Sequence, residues 1–271
     1  MLPRIGVFDS GVGGLTVLRA LASQLPAHYW YFGDTARLPY GTKSAETVAR
    51  YAIRAAKFLQ DHQIDLLVVA CNSATALALP QIEQSVRIPV VGVVEPGAAM
   101  ASEVSTSRSA IVIATEATVT SHAYFHALQH RGIHAYEKAC PLFVPLVEEG
   151  WIDHPVTEEI AKIYLVEAIG GADHKPDVLL LACTHYPLLA PVLRRITPPE
   201  MKIVDSAEST AREVQKAMAS LSLTSHGEAD SFRDHRSFRF YVTDSVDKFK
   251  RLATRFLGRQ VDHVEHVDLG G

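Results

Sequence analysis

The chain has 271 residues, enough for one large or two moderate cores, and its 48% hydrophobic and 21% charged content is that of an ordinary folded protein. Its 26 Lys and Arg fall just short of its 30 Asp and Glu, and neither sign collects in a block able to neutralise a run of phosphates, which argues against nucleic acid as a primary ligand. The start, MLPRIGVFDSGVGG, turns polar and glycine-rich too early for a signal-peptide core, and no apolar run nears the roughly 18 residues of a membrane span, so the expected location is cytoplasmic.

In chain order, IGVF (5–8) predicts a strand, DSGVGG (9–14) a glycine loop and LTVLRALASQL (15–25) a helix. YWYF (29–32) predicts the next strand, SAETVARYAIRAAKFLQDH (44–62) a helix, and DLLVVA (65–70) and PVVGVV (89–94) further strands. AIVIA (110–114), DVLLLA (177–182) and KIVD (202–205) have the same Val/Ile/Leu-rich character, with a helix over VTEEIAKIYLVEAIGG (156–171). The polar stretch 222–236 is linker-like, and after it FRFYV (238–242), a cap at Asp244 or Ser245, VDKFKRLATRFL (246–257) and a Gly258 stop form one more strand–helix unit. Alternating strands and helices imply right-handed crossovers in an α/β, doubly wound fold, with the ligand crevice at the C-terminal ends of the strands.

The chain also repeats itself. DLLVVAC (65–71) and DVLLLAC (177–183) share Asp, Leu, Ala and Cys. Each is followed at about 20 residues by an apolar run ending near an acid, VVEPG (93–97) and IVDSA (203–207), and IGVFDSGVGG (5–14) has a counterpart in IVIATEATVTS (111–121). Two similar halves facing each other would place Cys71 and Cys183 at equivalent strand ends, on opposite sides of one cleft. A tetrahedral carbon between two thiols can lose a proton to one and gain a proton from the other on its opposite face, which is racemisation or epimerisation. A free cysteine titrates near 8.5, so one of the pair needs help to ionise. A helix starting near Ser73 would aim its N-terminal dipole at Cys71, Pro187 marks a first turn after Cys183, and His185 is placed to accept or donate a proton there.

The bland alternatives stand beside these. Either cysteine taken alone reads first as a small buried hydrophobe, and it is the pairing that favours a cleft; Cys140, without a strand-end context, keeps the buried reading. DSGVGG is an anion cradle or a turn in which Asp9 caps a helix; it lacks the third glycine of a dinucleotide fingerprint. Ser10, Asn72, Ser73 and Thr184 suit an amino acid's carboxylate and ammonium groups, and PYG (39–41) offers a phenol and a turn. His263 and His266 read as a solvated edge, and no metal site is expected.

FDSGVGGLTVLRAL, YFGDTARLPYGTKS, VVACNSATALAL, CPLFVPLVEEG, LLLACTHYPLL, VDSAEST and FYVTDSVDKFKRLATRFLG together resemble, in order and almost end to end, the glutamate racemase family of the aspartate/glutamate racemase superfamily. That resemblance implies two pseudosymmetric doubly wound α/β domains, 1–96 with 208–271 and 97–207, and an active site in the cleft between them. It implies a cofactor-independent enzyme supplying D-glutamate for peptidoglycan, with Cys71 handling the D-side proton and Cys183 the L-side proton. Asp9 would support the first thiol and His185 the second, with Asp34 and Glu148 as further polar partners. Ser10, Tyr40, Gly41, Asn72, Ser73, Thr184 and His185, with Asp9, would bind the substrate. A homodimer is the implied assembly. Ser73 stands where family members commonly carry threonine, which keeps the hydroxyl and loses a methyl. Racemases of aspartate, and isomerases of hydantoins or maleate, would share both cysteines; a decarboxylase would need one, and a partner-binding protein neither.

Overall fold

The computed structural model describes residues 2–221, 223 and 237–270, so the linker-like stretch 222–236, apart from Leu223, lies outside the described residues. A first run of elements comprises β1 (Arg4–Asp9), α1 (Leu15–Gln24), β2 (His28–Gly33), α2 (Ala45–Asp61), β3 (Leu66–Val69), α3 (Asn72–Ser85) and β4 (Val90–Gly92). A second run follows: α4 (Val94–Val104), β5 (Ser109–Ala114), α5 (Glu116–Thr120), α6 (Ala123–Gln129), β6 (His134–Ala139), α7 (Phe143–Glu149), α8 (Pro155–Gly171), β7 (Val178–Ala182), α9 (Ala190–Ile196), β8 (Lys202–Asp205) and α10 (Ser206–Ser220). The chain ends with β9 (Phe238–Val242), α11 (Val246–Leu257) and β10 (Glu265–His266).

Two parallel sheets result. One has the order β10-β9-β2-β1-β3-β4 and the other β6-β5-β7-β8. Leaving aside the C-terminal strands, the order is the same in both, β2-β1-β3-β4 against β6-β5-β7-β8, which is the repetition the sequence showed. Registers match too: Phe8 lies opposite Val69 and Ile113 opposite Leu181, each two residues before its cysteine, so both cysteines emerge at equivalent strand ends. In both sheets the chain reverses its direction of travel after the first strand, between β1 and β3 and between β5 and β7, which is where ligands bind in open parallel sheets.

The central strands β1, β3, β5 and β7 are apolar on both faces, and both faces are covered. Val7, Leu66, Val68, Ile111, Ile113, Leu179 and Leu181 join one core that runs through both halves, with α1, α10 and α11 packed into it. Phe8, Leu67 and Val69 face a second core beneath the first sheet, and Val112 and Leu180 a third beneath the second. Among the described residues no helix is long and apolar enough to cross a membrane.

Some expectations shift. PVVGVV is a strand only over Val90–Gly92, because Val93 already has helical backbone angles and caps α4. β6, HAYEKA, was not anticipated: it is a half-exposed edge strand whose polar residues hide the period. Ser245 occupies the α11 N-cap, but in a left-handed conformation (φ 54°) with no side-chain cap bond; Gly258 closes the helix at φ 78°. His263 and His266 lie exposed at the β10 edge.

Candidate active site

The two strand ends open into one cavity of about 260 Å³ between the halves. Cys71 enters it from the first half and Cys183 from the second; they are 5% and 6% exposed, accessible only through the cleft. Cys71 is the N-cap of α3, and its sulfur accepts the Ala74 N–H at 3.4 Å while its S–H is directed to Ser10 Oγ, also at 3.4 Å. The dipole expected to start near Ser73 thus starts one residue earlier, directly on the thiol. Cys183 is followed by a 3-10 turn, Tyr186–Leu189, before α9, so Pro187 does open a helical turn, though not an α-helical one. Cys140 is different: it follows β6, donates its N–H to Ala114 O, and is wholly buried outside the cavity. It therefore has the strand-end position the sequence did not reveal, yet remains core.

Burial dominates both thiols. It pushes Cys71 up to about 11, helped by the charge of Asp9 and opposed by the hydrogen bonds from Ser10 and the Ala74 N–H. Cys183 is pushed up further, by burial and by the mutual repulsion of the two thiolates and Asp9, against the N–H groups of His185 and Tyr186. Asp9 sits beneath Cys71, 1% exposed; Oδ2 accepts the Gly11 N–H at 2.9 Å, and Oδ1 has no partner among the described residues. Asp9 thus braces the glycine loop rather than capping α1, and, although expected to bind substrate, it does not line the cavity and reaches the site through its charge on Cys71. Burial raises its carboxyl, tempered first by His185 and then by the loop N–H groups.

His185 holds the Cys183 side. Its Nε2 is 3.4 Å from Glu148 Oε1, its Nδ1 3.4 Å from Thr184 Oγ1, and its ring meets Phe256 edge-on at 5.1 Å. Glu148, at the end of α7, is drawn down to about 2, by the bond from His185 first and by Lys248 as well, against the effect of burial. Asp34 does not line the cavity: its carboxylate accepts Tyr40 OH at 2.6 Å and Arg37 and Thr243 at 2.8 Å each, and it acts on the cleft only through Tyr40. Ser10, Tyr40, Gly41, Asn72, Ser73, Thr184 and His185 all line it. Asn72 accepts Tyr124 OH at 2.6 Å, leaving its Nδ2 without a partner among the described residues, as a donor for a ligand oxygen.

Thr115 and Thr118 were not singled out in the sequence. Ser73 Oγ lies 2.9 Å from Thr115 Oγ1 and 3.3 Å from Thr118 Oγ1, and the two threonines are 3.0 Å apart. The matched registers put Thr115 where Ser10 stands in the first half, so the repeat itself carried the signal. Gly41 is small because Thr115 leaves it no room for a Cβ.

Two similar parallel α/β halves that close on a shared cavity, each contributing one thiol at its switch point, define a two-lobed α/β protein with paired cleft thiols. The Asp/Glu/hydantoin racemase model matches residues 5–214, and the chain belongs to that family. It is 56% identical to a glutamate racemase of Koribacter versatilis, over 99% of this chain and 98% of the relative, and 46% identical to one of Geobacter metallireducens, over 98% and 96%. The glutamate racemase of Francisella tularensis, solved in complex with D-glutamate, superposes with a TM-score of 0.89 at 34% identity, covering 98% of both chains.

Proposed function

We propose that the chain is a glutamate racemase, interconverting L- and D-glutamate with two cysteines and no cofactor, and supplying D-glutamate for peptidoglycan. The observation that carries this is the entry of Cys71 and Cys183 into one cavity from opposite halves. In the L-to-D direction the Cys183 thiolate takes the α-proton, the electron pair is held on the α-carbon and its carboxylate, and the Cys71 thiol delivers a proton to the opposite face. The enzyme is left with a Cys71 thiolate and a Cys183 thiol, ready for the reverse reaction.

Ionisation comes with the substrate. Burial favours the neutral form of both thiols, and an incoming α-ammonium supplies the cation that favours a thiolate. His185 takes the proton on the Cys183 side and Asp9 serves Cys71. A turnover near 10 per second corresponds to a barrier of about 16 kcal/mol, and the fixed dipoles of the α3 N-terminus, Asn72 and the Ser73 and Thr115 hydroxyls, with Thr118 behind them, would stabilise the carboxylate that must absorb the carbanion's charge. The same reading takes 1–96 with 208–271 and 97–207 as the two domains, the cytoplasm as location and a homodimer as assembly.

Incubation with either enantiomer in deuterated water tests it. The parent chain exchanges the α-proton and racemises; Cys71→Ala and Cys183→Ala each abolish racemisation, while one-sided exchange of a single enantiomer survives. Interconversion at the parent rate by either variant would discard the two-thiol scheme, and turnover of aspartate rather than glutamate would reassign the substrate.

A further inference from the structure

One helix reaches across the cleft to the group that serves Cys183. α11 packs on α1 in the first half, yet three of its residues, spaced seven and eight apart and so on one face, touch the second half. Lys248 Nζ lies 2.9 Å from Glu148 Oε2; Arg255 Nη1 donates to Val147 O at 3.0 Å and Glu148 O at 3.2 Å, the last carbonyls of α7; Phe256 packs against the His185 ring. Glu148 is therefore shared, one oxygen on Lys248 at 2.9 Å and the other on His185 at the longer 3.4 Å. The charged and titratable groups that face His185 are Glu148 from α7, Asp9 from the end of β1 and Cys183 on its own segment, with Lys248 acting through Glu148.

A carboxylate with no other partner favours the imidazolium, and an imidazole held charged is a poorer proton acceptor. We infer that Lys248 is a positioning residue for His185: by taking one oxygen of Glu148 across the cleft, it divides that charge and leaves the imidazole free to exchange protons with the Cys183 side. This rests on the two-thiol reading above. Lys248 is 46% exposed at its side chain, so substitution there leaves the core intact.

The test compares the parent with Lys248→Met and Lys248→Arg, following the His185 ring signals by NMR across pH alongside kcat/KM. In Lys248→Met the midpoint of the ring signals rises by about half a pH unit or more, and the limb of the kcat/KM profile that follows it moves the same way. Lys248→Arg restores the parent values, ~1 M salt narrows the difference, and in a Glu148→Gln background Lys248→Met shifts the midpoint much less. A midpoint that stays put or falls in Lys248→Met, or a kcat/KM profile that does not move with it, overturns the inference. The NMR measurement needs no turnover, so a parent chain that fails to racemise glutamate counts against the two-thiol reading alone and leaves the Lys248 result standing.

Discussion

At the scale of single residues, the cleft poses an acid/base problem that the surrounding groups answer unevenly. Cys71 has the helix N-terminus and Ser10 to favour its thiolate, yet burial and Asp9 outweigh them and hold it near 11. At pH 8 about one Cys71 in a thousand is then ionised in the empty enzyme. Alkylation of Cys71 by iodoacetamide, read by peptide mass spectrometry, should rise about tenfold per pH unit from pH 8 to pH 10, with Cys183 lagging behind it throughout because its thiol is raised further. A rate at Cys71 that is flat over this range would mean that the thiolate already exists without substrate, and that the incoming ammonium is not what creates it.

At the scale of elements, the aspartate shared by the two repeats has a structural task. Asp65, before β3, accepts the Arg4 N–H at 2.8 Å, just where β1 begins. Asp177, before β7, accepts from Ser105 Oγ at 2.7 Å, the Thr106 N–H at 2.6 Å, Thr106 Oγ1 at 2.7 Å and the Ser107 N–H at 2.9 Å, fastening the approach to β5. Burial works to raise the Asp177 carboxyl, but these bonds outweigh it and hold the group well below the usual carboxylate range. Asp177→Ala should cost about 1–2 kcal/mol at pH 7, discounted for the exposed partners. Because the folded value lies below the unfolded one, that contribution is whole above about pH 4 and fades as the pH falls further, so the denaturation midpoints of parent and variant should converge in acid. The repeat, the buried strands and both cleft cysteines were legible because continuous apolar runs and a recurring Asp…Cys pattern survive in a single sequence. β6 was not, since an edge strand with half-exposed polar residues carries neither alternation nor an apolar run. Nor was the placing of Asp34 behind Tyr40, or of Lys248 on Glu148, because both depend on side chains that meet only after folding.

At the scale of the molecule, the two-thiol scheme requires the halves to approach closely, and Gly13 sits where they do. It lies at the head of α1, where a Cβ would overlap Thr184 Oγ1 and His185 Nδ1, both in the opposite half. The same junction is tied by Thr16 Oγ1, which donates to Gly13 O at 2.9 Å and to Thr184 O at 3.1 Å. A methyl group at Gly13 cannot be absorbed by one flexible side chain, because Thr184 is anchored through its backbone and His185 is wedged between Glu148 and Phe256. The halves must part, taking Cys183 away from Cys71, and a misplacement of about 1 Å at reacting groups costs about a hundredfold in rate. Gly13→Ala should therefore lose about that factor in kcat/KM while circular dichroism still shows the parent's helix and strand content, since the cores beneath each sheet are untouched. Gly41→Ala is the graded comparison: its Cβ meets only Thr115, at 2.8 Å, from a three-residue turn rather than the head of a helix, so a smaller shift relieves the clash and the loss should be smaller. Equal losses in the two variants, or a Gly13→Ala enzyme as fast as the parent, would show that the separation of the halves is not what limits proton transfer between the thiols and the substrate.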